Sequence, residues 1–402
     1  MHIVCLYQHY CNPDCATGAR AYAILRHLAR RHQVTLITSR ACYDARLTQA
    51  FDWVPPGVRL HMLDVPYNNQ MNARRRLRAY TAFALKALAQ GLRAVQPTLV
   101  YGISTPLTTG WAAAQTARLR HVPWVFEIRD VWPDFPIQMG AVPSVWMQNR
   151  LYRLERALYR SAAQVITVSP DMTDHVRRQG IPHDKVTTLL QGTDFDLLDA
   201  CHRDEVEAIR QRHGLSGCRV ILYAGTFGRA NDIPTLLQAA ERLAHRNDLR
   251  FVFLGQGFFT PTIEAAARRL PNVLAPTPQA RHHTLAWFKL ADLSLVSFID
   301  LPVLATNAPT KFFDSLGAGT PVLVTNPGWT KRFVEEHRCG WYAPPSDADA
   351  LAHHLDAALA DPEALAEAGC RAAAVARQQF DRDTIAGQLE AIFERVAGQE
   401  GI

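Results

Sequence analysis

At 402 residues the chain exceeds one ordinary domain, and 48% hydrophobic with 20% charged residues is the balance of a globular protein with two cores. No apolar run reaches the length of a membrane helix, and the start, Met1-His2-Ile3-Val4-Cys5-Leu6-Tyr7, is too short and lacks the basic residues of a signal peptide; a cytoplasmic protein is expected. The eight cysteines are scattered without a Cys-x-x-Cys pair, which points to free thiols rather than disulfides or zinc, and the net charge of +6 is modest.

Residues 2–7 read as a strand, residues 12–18 as a polar loop with Pro13 and Gly18, residues 19–31 as a helix with Leu25 and Leu28 inward, and residues 34–38 as a second strand. This β-loop-α-β opening starts a Rossmann-like half. Gly18 has no partner glycines at the spacing of a dinucleotide fingerprint, so its loop is read as one that lets another molecule approach closely. From Arg74 to Arg93, the basic residues Arg74, Arg75, Arg76, Arg78, Lys86 and Arg93 alternate with Tyr80, Phe83, Leu85, Leu88 and Leu92. Such a basic amphipathic helix suits either an anionic membrane surface or packing of its apolar stripe on its own domain. Nucleic acid is not expected, because nothing else in the chain supplies a basic, aromatic face.

Residues 99–102 form a short strand, and Ser104-Thr105-Pro106 can cap a helix from Leu107. Residues 123–128 form another strand that runs into Arg129-Asp130-Val131-Trp132-Pro133-Asp134. Ligands of open α/β sheets bind beyond the carboxyl ends of strands, so Glu127, Arg129, Asp130 and Asp134 are site candidates, with an internal salt-bridge knot as the alternative. Residues 164–169 are strand-like, Ser169-Pro170-Asp171 caps a helix from Met172, and residues 186–191 end the first half. Residues 192–215 are polar and poorly patterned, which places a domain boundary near Gln191.

After the boundary the pattern restarts. Strands over 220–224 and 249–254 end in Gly225-Thr226-Phe227-Gly228-Arg229 and Gly255-Gln256-Gly257, and a strand over 293–298 leads to the loop before Pro309. Pro309 and Thr310 open a helix in which Phe312, Phe313 and Leu316 form the apolar face, with Lys311 and Asp314 on another; Gly317 and Gly319 stop it, and residues 321–325 form a buried strand. A helix N-terminus carrying a lysine in its first turn suits a phosphate, and Arg229 beside Lys311 suits a diphosphate. Residues 362–396 are two alanine-rich helices with a break near Phe380-Asp381, the first capped by Asp361. Adjacent His282 and His283 are read as a helix surface.

These pieces resemble retaining glycosyltransferases of family 4, notably bacterial O-antigen and capsule enzymes of the N-acetylfucosaminyl type. The shared motifs are the loop ending at Gly18, Ser104-Thr105-Pro106-Leu107-Thr108, Glu127-Ile128-Arg129-Asp130-Val131-Trp132-Pro133, Val168-Ser169, Tyr223-Ala224-Gly225-Thr226 and Pro309-Thr310-Lys311-Phe312-Phe313-Asp314, in order over nearly the whole chain. The resemblance implies the GT-B fold, two Rossmann-like parallel-sheet domains facing each other across a cleft. An acceptor-binding domain spans 1–190, a nucleotide-sugar-binding domain spans 191–381, and a C-terminal helix at about 382–402 can pack back on the first.

By the resemblance, Gly18, Gly225, Thr226, Arg229, Gly255, Gly257, Thr310, Lys311, Phe312 and Asp314 contact the donor, and Arg129, Asp130, Arg229 and Lys311 carry catalysis. Asp314 stands where relatives have the second of two glutamates, the one that binds ribose hydroxyls; the first would fall at Thr306. Arg129 replaces a histidine common in relatives, and Ala230-Asn231-Asp232 lacks a further lysine. The implied reaction moves a hexose, with an N-acetylated deoxyhexose as a candidate, from a uridine nucleotide-sugar to a lipid-linked or lipopolysaccharide glycan at the cytoplasmic face of the inner membrane, docked through the Arg74 to Arg93 segment. No metal or other cofactor is expected, because two cations and a helix dipole can neutralise the leaving diphosphate. A nucleotide-sugar epimerase of the same shape and a non-catalytic nucleotide-sugar-binding scaffold are the alternatives.

Overall fold

The computed structural model describes residues 1–14, 19–40, 52–67 and 71–398. It divides into two compact units, one of Met1–Leu190 with Arg382–Ile402 and one of Gln191–Asp381.

The first unit is built on seven parallel strands: β1 His2–Leu6, β2 Gln33–Ser39, β3 Val58–Leu63, β4 Leu99–Ile103, β5 Trp124–Ile128, β6 Gln164–Thr167 and β7 Val186–Thr188. Their order is β3-β2-β1-β4-β5-β6-β7. Alternation along the strands sorts side chains to two faces. Val4, Leu6 and Val100 share one core with Phe83, Ala112, Phe126 and Tyr159, beneath the helices Ala73–Leu92, Leu107–Arg120 and Val145–Ser161. Ile3, Cys5, Leu99 and Tyr101 share the other with Leu25, Leu28, Leu389 and Phe393, beneath Ala19–Ala29 and Arg382–Gly398. Arg26 bonds Asp383 at 3.0 Å, and His27 and His32 each meet Glu390 at 2.9 Å, which fastens the last helix to the first.

The second unit has six parallel strands: β8 Arg219–Ala224, β9 Leu249–Leu254, β10 Val273–Leu274, β11 Leu293–Val296, β12 Val322–Val324 and β13 Gly340–Tyr342, in the order β10-β9-β8-β11-β12-β13. The strand order turns outward in opposite directions from β1 and β4 in the first sheet and from β8 and β11 in the second. The loops leaving those strands therefore border the crevice where open α/β sheets bind ligands.

Residues 192–215, polar and poorly patterned in sequence, hold helices Phe195–Ala200 and Arg203–Arg212, the latter contributing buried Ile209 beneath an otherwise polar surface. Two local expectations fail. The helices Leu107–Arg120 and Thr310–Gly317 have no side-chain caps. Ser104 Oγ accepts instead from the Arg129 amide at 3.1 Å, and Thr310 Oγ1 accepts from Gln191 at 3.3 Å. Ser169 and Asp361 do cap their helices, accepting from Met172 and Ala364.

Candidate functional site

In the second unit the site is assembled from the loops after β8 and β9 and the start of the Thr310–Gly317 helix. The two loops are laced backbone to backbone: Gly225 N donates to Leu254, Phe227 N to Gln256 and Phe259 N to Phe227. A side chain at Gly255 would place its Cβ 1.9 Å from the Gly225 carbonyl oxygen, and one at Gly257 would fall 2.8 Å from that of Phe227. These glycines are needed for loop-on-loop contact, a reason internal to the fold.

Lys311 leaves the first helical turn and lies against Gly225, where an added Cβ would come within 3.2 Å of Nζ. The ammonium sits 3.6 Å from the centre of the Tyr223 ring, and it is buried with no hydrogen-bond partner among the described residues. Burial pushes its pKa down to about 7. An ammonium with three donors and only a ring face to meet them is poised for an anion. Tyr223 donates its hydroxyl to the Thr226 carbonyl at 2.9 Å and so fixes the same loop. Thr226 and Arg229 are exposed on that loop, the Arg229 guanidinium lying 4.1 Å from the centre of the Phe258 ring, itself 59% exposed. Lys311 thus brings Gly225 and Tyr223 to one uncapped helix N-terminus, whose dipole favours negative charge, while Thr226 and Arg229 follow Gly225 on the same loop.

Two residues expected to touch the donor are buried. Phe312 is fully buried, its ring 5.4, 5.2 and 5.6 Å from those of Phe313, Trp329 and Phe333, because it lies on the core face of the helix. Asp314 is 2% exposed, and Arg281 donates to both its oxygens at 2.7 Å while Thr193 donates a third bond at 2.7 Å. A buried carboxylate with these donors ties the helix to its neighbours in the fold. Arg281 also reaches Asp194 at 3.4 Å. Of the adjacent histidines read as a helix surface, His283 is exposed and pairs with Glu205 at 2.9 Å, and His282 is half-buried.

In the first unit the charges after β5 separate. Glu127 is a buried knot: Arg20 donates to both oxygens at 3.2 and 3.1 Å, and Tyr101 adds a bond at 2.7 Å. The Arg20 and Tyr101 partners hold its pKa below the usual value despite burial, through Arg20 first. Asp134 accepts from Tyr152 at 2.7 Å. Arg129 and Asp130 remain half-buried, with Arg129 donating to the Tyr7 hydroxyl at 2.9 Å. Burial pushes the Asp130 carboxyl up to about 6, against the pull of Arg129 and His9. Gly18 lies outside the described residues. Tyr223 and Arg281 were given no role by sequence reasoning. An aromatic residue closing a strand just before a glycine loop was the available signal for the first; the second had none.

Residues 16–192 match the Glycosyl transferase 4-like domain and residues 205–374 match the Glycosyl transferases group 1 domain. Each half of the chain is thus similar to a glycosyltransferase domain. It is 23% identical over 60% of its length to the alpha-D-kanosaminyltransferase of Streptomyces kanamyceticus, and 24% identical over 58% to a Pseudomonas aeruginosa protein named "Probable glycosyltransferase WbjE". These matches reach 63% and 59% of those relatives' lengths. The structure is similar to Anabaena HepE in complex with UDP-glucose, with a TM-score of 0.73 and 17% identity over 98% of this chain and 100% of that one. The two parallel-sheet units are those of the GT-B fold.

Proposed function

We propose that the chain is a retaining, hexosyl-transferring glycosyltransferase that uses a uridine nucleotide-sugar. The buried ammonium of Lys311 over Tyr223, with no hydrogen-bond partner among the described residues, carries this reading. A diphosphate would give that cation its missing acceptors, with Arg229 and the open helix amides sharing its charge. HepE, of similar fold, is described with UDP-glucose, which favours uridine over other bases.

In the reaction the bond between the sugar's anomeric carbon and the phosphate oxygen breaks. The acceptor oxygen bonds that carbon on the same face, and its proton passes to the departing phosphate oxygen. Lys311 and Arg229 would neutralise the leaving group, so no divalent cation is required. The acidic and histidine groups with metal-ligand spacing among the described residues of the chain are His32, Glu390 and Glu394, all in the first unit. Arg129 and Asp130 would orient acceptor hydroxyls. The acceptor is a lipid-linked or lipopolysaccharide glycan, an N-acetylated deoxyhexose is a suitable donor sugar, and the Ala73–Leu92 helix, with exposed Arg74, Arg75, Leu77, Arg78 and Leu85, holds the protein at the cytoplasmic leaflet.

A thermal-shift screen of UDP, GDP, ADP and dTDP, with and without EDTA, tests the donor half. UDP at about 100-fold its Kd should add about 2.7 kcal/mol of stability, unchanged by chelator. Stabilisation that EDTA abolishes would refute metal independence, and silence with all four nucleotides would refute the donor assignment.

A further inference from the structure

Three helices, Ala73–Leu92, Leu107–Arg120 and Val145–Ser161, cover one face of the first sheet, and their charge is one-sided. The first two contain no acidic residue. The third contains only Glu155, which is buried and accepts from Tyr159 at 2.8 Å beside His175 at 3.0 Å. Along the third helix Trp146, Arg150, Arg153, Ala157 and Arg160 recur at alternating steps of four and three, and all are exposed. This is the spacing of a single outward stripe. Arg153, Arg156, Ala157 and Arg160 line a shallow groove of about 430 Å³.

At the start of the same helix three successive large apolar side chains face outward, Val145, Trp146 and Met147 at 67%, 66% and 41% exposure. The Arg150 guanidinium lies 4.9 Å from the Trp146 ring centre. The adjacent helix adds exposed Arg118 and Leu119. Scattered apolar residues on a surface need no explanation, but a contiguous cluster ending an acid-free arginine stripe does.

We propose that the outer face of the Val145–Ser161 helix docks on an anionic lipid bilayer. Val145, Trp146 and Met147 enter the boundary between headgroups and acyl chains, and Arg150, Arg153, Arg156 and Arg160 meet lipid phosphates. Aromatic and apolar side chains at one end of a basic stripe match that boundary, where a ring is half solvated and guanidinium groups reach phosphate. A nucleic acid would instead be met by rings spaced along the stripe. This surface rests on the membrane-linked acceptor proposed above and adds a contact separate from the Ala73–Leu92 helix.

The test is co-sedimentation of the full chain with phosphatidylcholine vesicles, with and without phosphatidylglycerol. Wild type should bind the anionic vesicles and release with salt. Replacing Arg150, Arg153, Arg156 and Arg160 together by Gln should weaken binding by up to about 600-fold, since each arginine near an anionic surface contributes about fivefold. Trp146→Ser should weaken it further and remove any blue shift of tryptophan emission on binding. All of these side chains are exposed, so the melting temperature and UDP response should stay at wild-type values, which keeps the donor assignment separate. Wild-type affinity in the four-glutamine variant would overturn the proposal. Loss of binding only when Arg74, Arg75 and Arg78 are replaced would overturn it too while leaving the first helix as the anchor. Equal binding to neutral vesicles, or tighter binding to an oligonucleotide than to anionic vesicles, would also overturn it, and no vesicle binding by wild type would remove both membrane contacts.

Discussion

If Lys311 receives the donor diphosphate, nucleotide binding takes up a proton. In the free protein the Lys311 ammonium is buried over Tyr223 with no hydrogen-bonded partner among the described residues, and that burial lowers its pKa from 10.5 to about 7. Above pH 7 the side chain is therefore mostly neutral. A bound diphosphate supplies opposite charge and favours the ammonium, so its pKa in the complex is higher than in the free protein. Binding is then stronger at low pH and weakens as pH rises from about 7 towards the pKa of the complex. One proton per site means about tenfold in affinity per pH unit, or up to about 100-fold between pH ~7 and ~9. Phosphate's own second ionisation lies near pH ~6, so UDP contributes little over this range. Tyr223 contributes nothing either, because burial pushes its hydroxyl well above the ordinary value and keeps it neutral. Isothermal titration of UDP in buffers of different ionisation enthalpy reads both the affinity and the proton count. Lys311→Arg, charged throughout, should bind with a flat pH profile, and Lys311→Met should bind weakly at every pH. Equal wild-type affinity at pH ~7 and ~9, with no net proton uptake, would show that no anion reaches Lys311.

Lys311→Ala should lower turnover by about 10²–10³, as when one donor to a developing oxyanion is removed, and an unchanged rate would take Lys311 out of the reaction. Arg281→Ala should cost about 3–5 kcal/mol in denaturant melts, because it leaves the Asp314 carboxylate buried with only Thr193. A loss below about 1 kcal/mol would mean that water reaches Asp314. Gly255→Ala should lower both the melting temperature and UDP affinity, since its Cβ would sit 1.9 Å from the Gly225 oxygen; a variant with wild-type affinity would disconnect that loop contact from the site. Asp130 is held up at about 6 by burial, so its protonated form stabilises the fold below the ordinary 3.8 and that contribution is lost as pH rises through 6. Asp130→Asn should therefore stabilise the protein above pH 6 and change it little below 3.8, as read by melts at both extremes.

What could be read from the sequence was what is local. Strand β8 shows as an apolar run ending in Tyr223-Ala224, and the loops after β8 and β9 show by their glycines. Strand β3 was missed because it lies at a sheet edge, where Arg59 and His61 interrupt VRLHML and no residue is fully buried. Strand β13 is three half-buried residues, too short to carry a period. Within the Thr310–Gly317 helix the phase was legible: Phe312 shares the buried face with Phe313 and Leu316, about 100° from Lys311. Asp314 is the harder case. Its partners Thr193 and Arg281 lie 121 and 33 residues away, on other elements, and no local pattern announces them. The one handle was context, since Asp314 follows Phe312 and Phe313 and precedes Ser315 and Leu316, all buried. A carboxylate among such neighbours needs hydrogen-bond donors or a cation beside it, and the sequence did not say which residues supply them.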